Sequence, residues 1–326
     1  MERLEPFDGG YGSGETPAAR LSRGGAARSA GRFLLHFGLL AATAVTTASM
    51  GTLLALPVSD EAGPVDGLVE ALGSLASDGS PLVSGVVFAF TLLTILGMHE
   101  LGHYAACRYY GIDATPPYFI PAPPPILIGT FGAFIRIKSP FTTRRALFDV
   151  GVAGPIAGFL FALPAAVVGM LFAAPAEPLS AEGGIVFNDP LLFILLQKAL
   201  GLPPAIAWNP IYFAAWVGVF ATGLNLIPVG QLDGGHAVYA LFGDRGHRVV
   251  SRVLFAAVAV LAVVAFVGYG SPSWFLFVVL LALLAFRRHP TTIRSEPHIG
   301  RGRKLVALLV LLIFALSFIP FPVTLM

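Results

Sequence analysis

The stretch LVSGVVFAFTLLTILGMHELGHYAACRYY, Leu82 to Tyr110, decides the fold and carries the chemistry. A helix crosses the hydrocarbon core with roughly 20 apolar residues, and residues 82–104 supply such a span. Inside it stands His99-Glu100-Leu101-Gly102-His103. Histidines at i and i+4 share one helical face, where both imidazoles can reach a single metal ion, zinc by ligand type. Glu100 lies between them, placed as a general base toward a water at that metal. The same pattern occurs by chance on helices of soluble proteins, solvated and inert. A membrane span removes that explanation, because ionisable groups at bilayer depth cost about 2.5–3.5 kcal/mol each on insertion scales.

Composition agrees with a polytopic membrane protein. The 326 residues are 56% hydrophobic and 12% charged, with a mean hydropathy of +0.80, whereas a soluble domain carries about 25% charged residues. The single cysteine, Cys107, excludes an intramolecular disulfide, a multi-cysteine zinc finger and an iron–sulfur site. Residues 1–32, rich in Gly, Ser, Ala and Arg, read as a disordered cytoplasmic tail, followed by a transmembrane domain over 33–326 with its catalytic core at about 82–250. No signal or transit peptide is evident, which favours a prokaryotic cell membrane.

Apolar runs at about 33–57, 82–104, 148–174, 207–231, 251–270, 273–286 and 304–320 predict an all-α fold of about seven transmembrane helices. The fifth and sixth runs, joined by Gly268 to Ser273, form a tight hairpin. Residues 190–201 are too few to span and predict an interfacial helix. With the N-terminus in the cytoplasm, 19 of the 20 Lys and Arg fall on that side, and only Lys198 lies outside. The outer loops 58–81 and 175–206 carry acids instead. The expected surroundings are therefore lipid bilayer, with no nucleic-acid partner.

A catalytic zinc usually has three protein ligands and one open position. The fourth run ends Asn225-Leu226-Ile227-Pro228-Val229-Gly230-Gln231-Leu232-Asp233-Gly234-Gly235-His236. It travels outside to inside, so Asp233 arrives at the depth of His99 and His103. Pro228 and three glycines make the backbone irregular, which membranes tolerate where it is buried in protein or lines a wet cavity. Asp233 is a candidate third ligand. It is also readable as an ordinary Asp-Gly turn residue, and His236 is a rival donor. His36, His247, His289 and His298 have no partner at suitable spacing, and the last three are expected to be solvated in basic loops.

At these residues the chain resembles the site-2 protease family of intramembrane zinc metalloproteases, peptidase family M50. His-Glu-x-x-His matches at His99–His103 and Asn-x-x-Pro-x-x-x-x-Asp-Gly at Asn225–Gly234, in the family's order. The resemblance implies Zn2+ held by His99, His103 and Asp233, Glu100 as the base, and Asn225 steadying the substrate carbonyl. It also implies hydrolysis of peptide bonds in or near transmembrane helices of membrane-protein substrates. Gly132–Pro140 and Gly151–Gly158 look like the bacterial and chloroplast branch. The chain departs from other branches in leaving no room for a PDZ domain and in lacking a C-terminal nucleotide-binding domain.

Pro116, Pro117, Pro121 and Pro123 to Pro125 forbid a helix before residues 126–138, which alternate loosely with β-branched and aromatic side chains. This predicts a short membrane-associated β-hairpin or re-entrant segment at 115–140. Either its edge receives unwound substrate as an added strand, with Ile135→Pro as the probe, or it is a plain plug. Gly151, Gly154 and Gly158 predict close helix packing.

Three other readings compete, one of them an inactive scaffold that binds a partner helix, against which the intact Glu100 speaks. A CAAX-type membrane endopeptidase would need a downstream glutamate, but Glu177 and Glu182 fall on the opposite side and Glu296 in a basic loop. A metal transporter would spread polar residues along several spans, whereas here they gather at one depth.

Overall fold

Backbone surrounded by hydrocarbon must satisfy its own N–H and C=O groups, and the apolar runs accordingly become helices. The computed structural model describes residues 17–56, 73–124, 126–176, 185–285 and 299–325. Its helices are α1 (Pro17–Ala55), α2 (Ser80–Tyr109), α3 (Arg144–Leu171), α4 (Leu191–Ala199), α5 (Pro210–Asn225), α6 (Asp233–Tyr269), α7 (Ser273–Ala285) and α8 (Arg301–Ser317). Among the described residues four segments are long and apolar enough to cross a membrane: Phe33–Ala55, Ser80–Tyr109, Arg144–Leu171 and Asp233–Tyr269. Helices α5, α7 and α8 have 16, 13 and 17 residues, fewer than the roughly 20 of a full crossing. The apolar runs predict seven spans; length and composition together support four.

Two other boundaries differ from expectation. Helix α1 starts at Pro17, inside the stretch expected as a disordered tail, of which residues 1–16 lie outside the described residues. The loop expected between the fourth and fifth runs is helical from Asp233 onward, broken at Gly243 (φ 71°, ψ −173°). Only glycine takes that conformation without strain. The hairpin between the fifth and sixth runs is present. Gly270 closes α6 in the left-handed region, its N–H bonded to Phe266 O, the 5→1 bond of an αL helix end.

Small residues set the helix spacing. A Cβ on Gly102 of α2 would lie 2.4 Å from the Ala153 carbonyl of α3, and one on Gly85 would lie 2.3 Å from Ala48 O of α1. Backbones approach this closely only where no side chain intervenes.

Each end of the helix layer carries a two-stranded antiparallel sheet. At one end β1 (Tyr118–Pro121) pairs with β2 (Thr130–Phe134), Tyr118 opposite Phe134. This is the expected hairpin. Its tip is tied to α1, where the Thr46 hydroxyl donates to Gly129 O at 2.7 Å. His36 stacks on Tyr118 with ring centroids 4.0 Å apart and donates from Nδ1 to Pro117 O at 3.0 Å. At the other end β3 (Ile185–Phe187) pairs with β4 (Val323–Leu325), which the sequence does not predict. There the core is aromatic: Phe187, Trp208, Phe213 and Trp216 pack ring to ring. Residues 191–199, within the stretch expected to be an interfacial helix, are helical as α4.

Candidate metal centre

Helix α2 presents His99, Glu100 and His103, all less than a tenth exposed. Asp233 enters from the first turn of α6. Its Oδ2 lies 3.1 Å from His99 Nε2 and its Oδ1 3.3 Å from His103 Nε2, and the two imidazole nitrogens are 3.2 Å apart. Two buried imidazoles and the Asp233 carboxylate thus form a triangle of groups, a different carboxylate oxygen facing each imidazole. With metal–ligand bonds of about 2.0 Å, adjacent corners of a tetrahedron are about 3.3 Å apart. The two imidazole nitrogens therefore stand at the separation of adjacent tetrahedral corners, with the Asp233 carboxylate beside them to supply a third. His103 Nδ1 donates to Val150 O at 2.7 Å, which fixes its tautomer and turns the Nε2 lone pair toward the triangle. Asn225, the last residue of α5, brings Nδ2 to 3.4 Å from His99 Nε2. The Glu100 carboxylate lies within 4.8 Å of the two imidazoles and accepts the backbone N–H of Ile135.

The irregular stretch 226–232 is what delivers Asp233. Gly230 turns in the left-handed region at φ 58°. The chain then folds so tightly onto α6 that a Cβ on Gly234 would lie 2.0 Å from Leu226 O, and one on Gly235 2.4 Å from Gly230 O. A straight continuation of α5 would carry Asp233 about 12 Å past Asn225, at about 1.5 Å per residue; the turn keeps both beside His99.

The glycines of α3 do more than let helices touch. A Cβ on Gly154 would stand 2.1 Å from His103 Nε2, one on Gly158 3.1 Å from His99 Nδ1, and one on Gly151 2.8 Å from His236 Cβ. The imidazoles lie in the groove these missing side chains leave.

Beside the triangle is a cavity of about 180 Å3, walled by Phe131, Gly132 and Ala133 of β2 and by Gly218, Thr222 and Asn225 of α5. At about 30 Å3 per water it holds a few solvent molecules, and a peptide must widen it. A larger apolar cavity of about 900 Å3 between α1 and α2 lies on the opposite side of α2, lined by Thr94, Met98 and Leu101.

The structure brings His99, Glu100, His103, Asn225 and Asp233 together. The rival donor His236 packs against Gly151 and beside Phe141, and the triangle is complete without it. His247 corrects the expectation of a solvated loop residue: it is buried, with Nε2 3.0 Å from Gly230 O. His289 and His298 lie outside the described residues. Sequence reasoning also missed Asp149, which accepts from Arg303 Nε (2.9 Å) and Nη2 (2.6 Å) and from the Tyr110 hydroxyl. Burial raises the Tyr110 phenol above its ordinary value, and the hydrogen bond to Asp149 adds to the rise. No spacing signal links these three residues, since each comes from a different helix end.

Helices built to cross a membrane, with two buried imidazoles and a carboxylate gathered at 3.1–3.3 Å, define an integral membrane protein with a candidate metal centre. Residues 87–268 match peptidase family M50, and the chain belongs to that family. It is 33% identical over 249 residues to "Probable zinc metalloprotease EGY2, chloroplastic" of Arabidopsis thaliana, an alignment covering 74% of this chain and 43% of that protein. It is 35% identical over 163 residues to "Probable zinc metalloprotease EGY1, chloroplastic" of the same plant, covering 48% and 29%. The chain thus spans less than half the length of these relatives. Among solved structures it is similar to the site-2 protease from Methanocaldococcus jannaschii, at 16% identity and a TM-score of 0.38, covering 70% of this chain and 90% of that one.

Proposed function

We propose that this chain is an intramembrane zinc metalloprotease that hydrolyses peptide bonds within or near transmembrane helices of membrane proteins. The observation that carries this reading is the convergence of His99, His103 and Asp233 to 3.1–3.3 Å inside apolar helices. These three would hold zinc. When bound, zinc supplies a Lewis acid and makes water acidic enough to attack near pH 7. Glu100 takes the proton from the attacking water and later delivers it to the leaving amine. The Ile135 amide keeps its carboxylate directed into the cavity. Asn225 Nδ2 donates to the scissile carbonyl oxygen as negative charge develops there.

A helical substrate hides its carbonyls in its own hydrogen bonds and must unwind before it fits beside the centre. We assign the receiving edge to β2, whose residues 131–133 wall the cavity. Ile135→Pro is a poor probe of that edge, because it also removes the N–H that Glu100 accepts. Ala133→Pro tests it more cleanly. Unchanged cleavage by a folded, zinc-loaded variant would remove the added-strand reading. The segregation of Lys and Arg supports a seven-span topology with a cytoplasmic N-terminus, the metal centre lying near the cytoplasmic face. A transport path is disfavoured by the aromatic core that fills the other end of the helix layer.

The deciding experiment compares the zinc content of the purified protein with that of Asp233→Ala. About one zinc per chain in the parent and clear loss in the variant are expected. Undiminished zinc in Asp233→Ala would move the third ligand elsewhere and defeat this assignment.

A further inference from the structure

We propose that His247 and Ser251 are positioning residues that clamp the turn delivering Asp233, and that the break at Gly243 exists to bring them there. The proposal rests on the metal site assigned above and adds residues that no motif contains.

The turn over residues 226–232 is buried at Leu226, Ile227, Val229 and Gly230, yet its backbone belongs to no helix. Its carbonyls need donors, because an unpaired buried carbonyl costs about 1–3 kcal/mol. Pro228 O receives the Ser251 hydroxyl at 3.1 Å, and Gly230 O receives His247 Nε2–H at 3.0 Å. Both donors are 5% exposed. They stand one helical turn apart, with Ser251 Oγ 3.3 Å from His247 Nε2. The ring of His247 is seated edge-on to Tyr239 with centroids 5.8 Å apart. The two carbonyls they hold are five and three residues before Asp233, on the segment that fixes where its carboxylate points.

In a continuous helix starting at Asp233, His247 would stand about 21 Å farther along the axis, at about 1.5 Å per residue. It instead touches Gly230. The left-handed conformation of Gly243 turns the second half of α6 back across the turn. The chain thus closes a loop on itself: turn, ligand, short helix, break, clamp. Nothing in this arrangement needs His247 to change charge, since either protonated or neutral it offers Nε2–H.

The test uses the full chain in detergent or lipid nanodiscs. His247→Phe keeps a ring but removes the donor, and His247→Gln restores an N–H. Zinc affinity is read by competition with a chromophoric chelator, and backbone protection of residues 226–236 by hydrogen exchange of the metal-free protein. His247→Phe is expected to weaken zinc binding about ten- to a hundredfold, the range for residues that orient a metal ligand, and to lose protection in the turn. His247→Gln should recover both to within a few fold. Ser251→Ala should shift both in the same direction by less. Zinc affinity unchanged in His247→Phe, with the parent binding one zinc, overturns the proposal. So does loss of affinity that His247→Gln fails to restore, which would mark a packing effect of the ring. A parent that binds no zinc defeats the metal assignment instead. In that case the exchange of the metal-free turn still decides the clamp: unaltered protection in His247→Phe rejects it.

Discussion

The two ends of the helix layer are built from the same parts and do different things with them. Each has a two-stranded sheet, and each has a largely buried aspartate. At one end Asp233 faces two imidazoles, with Oδ2 3.1 Å from His99 Nε2 and Oδ1 3.3 Å from His103 Nε2. At the other, both oxygens of Asp189 accept from one Tyr212 hydroxyl at 2.8 Å, within a wall of aromatic rings. The first carboxylate meets an imidazole nitrogen at each oxygen, and the second shares one hydroxyl proton between its two oxygens. A buried acid alone therefore signals nothing about chemistry. What distinguishes the first end is that three side chains of metal-ligating type gather within 3.1–3.3 Å of one another.

The comparison breaks first at Glu100. Glu100→Gln should keep about one zinc per chain while cleavage falls about a thousandfold, within the range for loss of a general acid–base; a fluorogenic transmembrane substrate measures it. Preserved cleavage would leave this end without its proposed proton carrier. Asn225→Ala sharpens it next. It should lower kcat about a hundredfold with KM little changed, as for loss of one oxyanion donor; a pure KM effect would reassign Asn225 to binding. Gly154→Ala asks whether the ligand groove must stay empty. Its methyl would stand 2.1 Å from His103 Nε2, so zinc binding should drop sharply and stability fall by about 1–3 kcal/mol, the usual effect of overpacking. Full zinc occupancy would show the imidazole free to move aside.

Smaller effects fall on the supports. Arg303 and Asp149 are each more than a quarter exposed, so Arg303→Met should cost about 1 kcal/mol or less and the difference should shrink in high salt. At the far end burial holds the Asp189 carboxyl above its ordinary range, and the Tyr212 hydrogen bond offsets part of that. A raised acid binds its proton more tightly in the folded chain. It contributes stability that is full below the unfolded carboxylate pKa and is lost as pH rises through the raised one. Asp189→Asn, which keeps an acceptor for Tyr212, should flatten Tm against pH in that window and leave Tm at pH 7 equal or higher. A large drop at pH 7 would show that the charge itself is needed there.

The end with the candidate metal centre was the more legible in sequence, for physical reasons. Helical periodicity puts His99 and His103 on one face, and an apolar surround leaves few explanations for them. Pro228 and the glycines around Asp233 announce irregular backbone, and the prolines before Ile126 announce a hairpin. What stayed hidden depends on contacts between distant segments. His247 read as a solvated loop residue because nothing local shows that Gly243 turns the chain back. The pairing of Ile185–Phe187 with Val323–Leu325 joins segments too short to announce themselves. Glycines 151, 154 and 158 were legible as packing residues, but that they pack against imidazoles follows only from the register of α3 on α2. Span number was legible only in part, since hydropathy counts apolar runs and not the length of helix each one forms.

Cys107 is wholly enclosed one turn beyond His103, and it is the chain's single thiol. A buried thiol in apolar surroundings is chemically inert. The native protein is therefore already a clean background for site-directed labelling. A spin-label pair introduced at exposed Phe131 on the hairpin and exposed Tyr109 at the end of α2 would report how far the sheet swings when a peptide arrives, without first engineering out any natural cysteine.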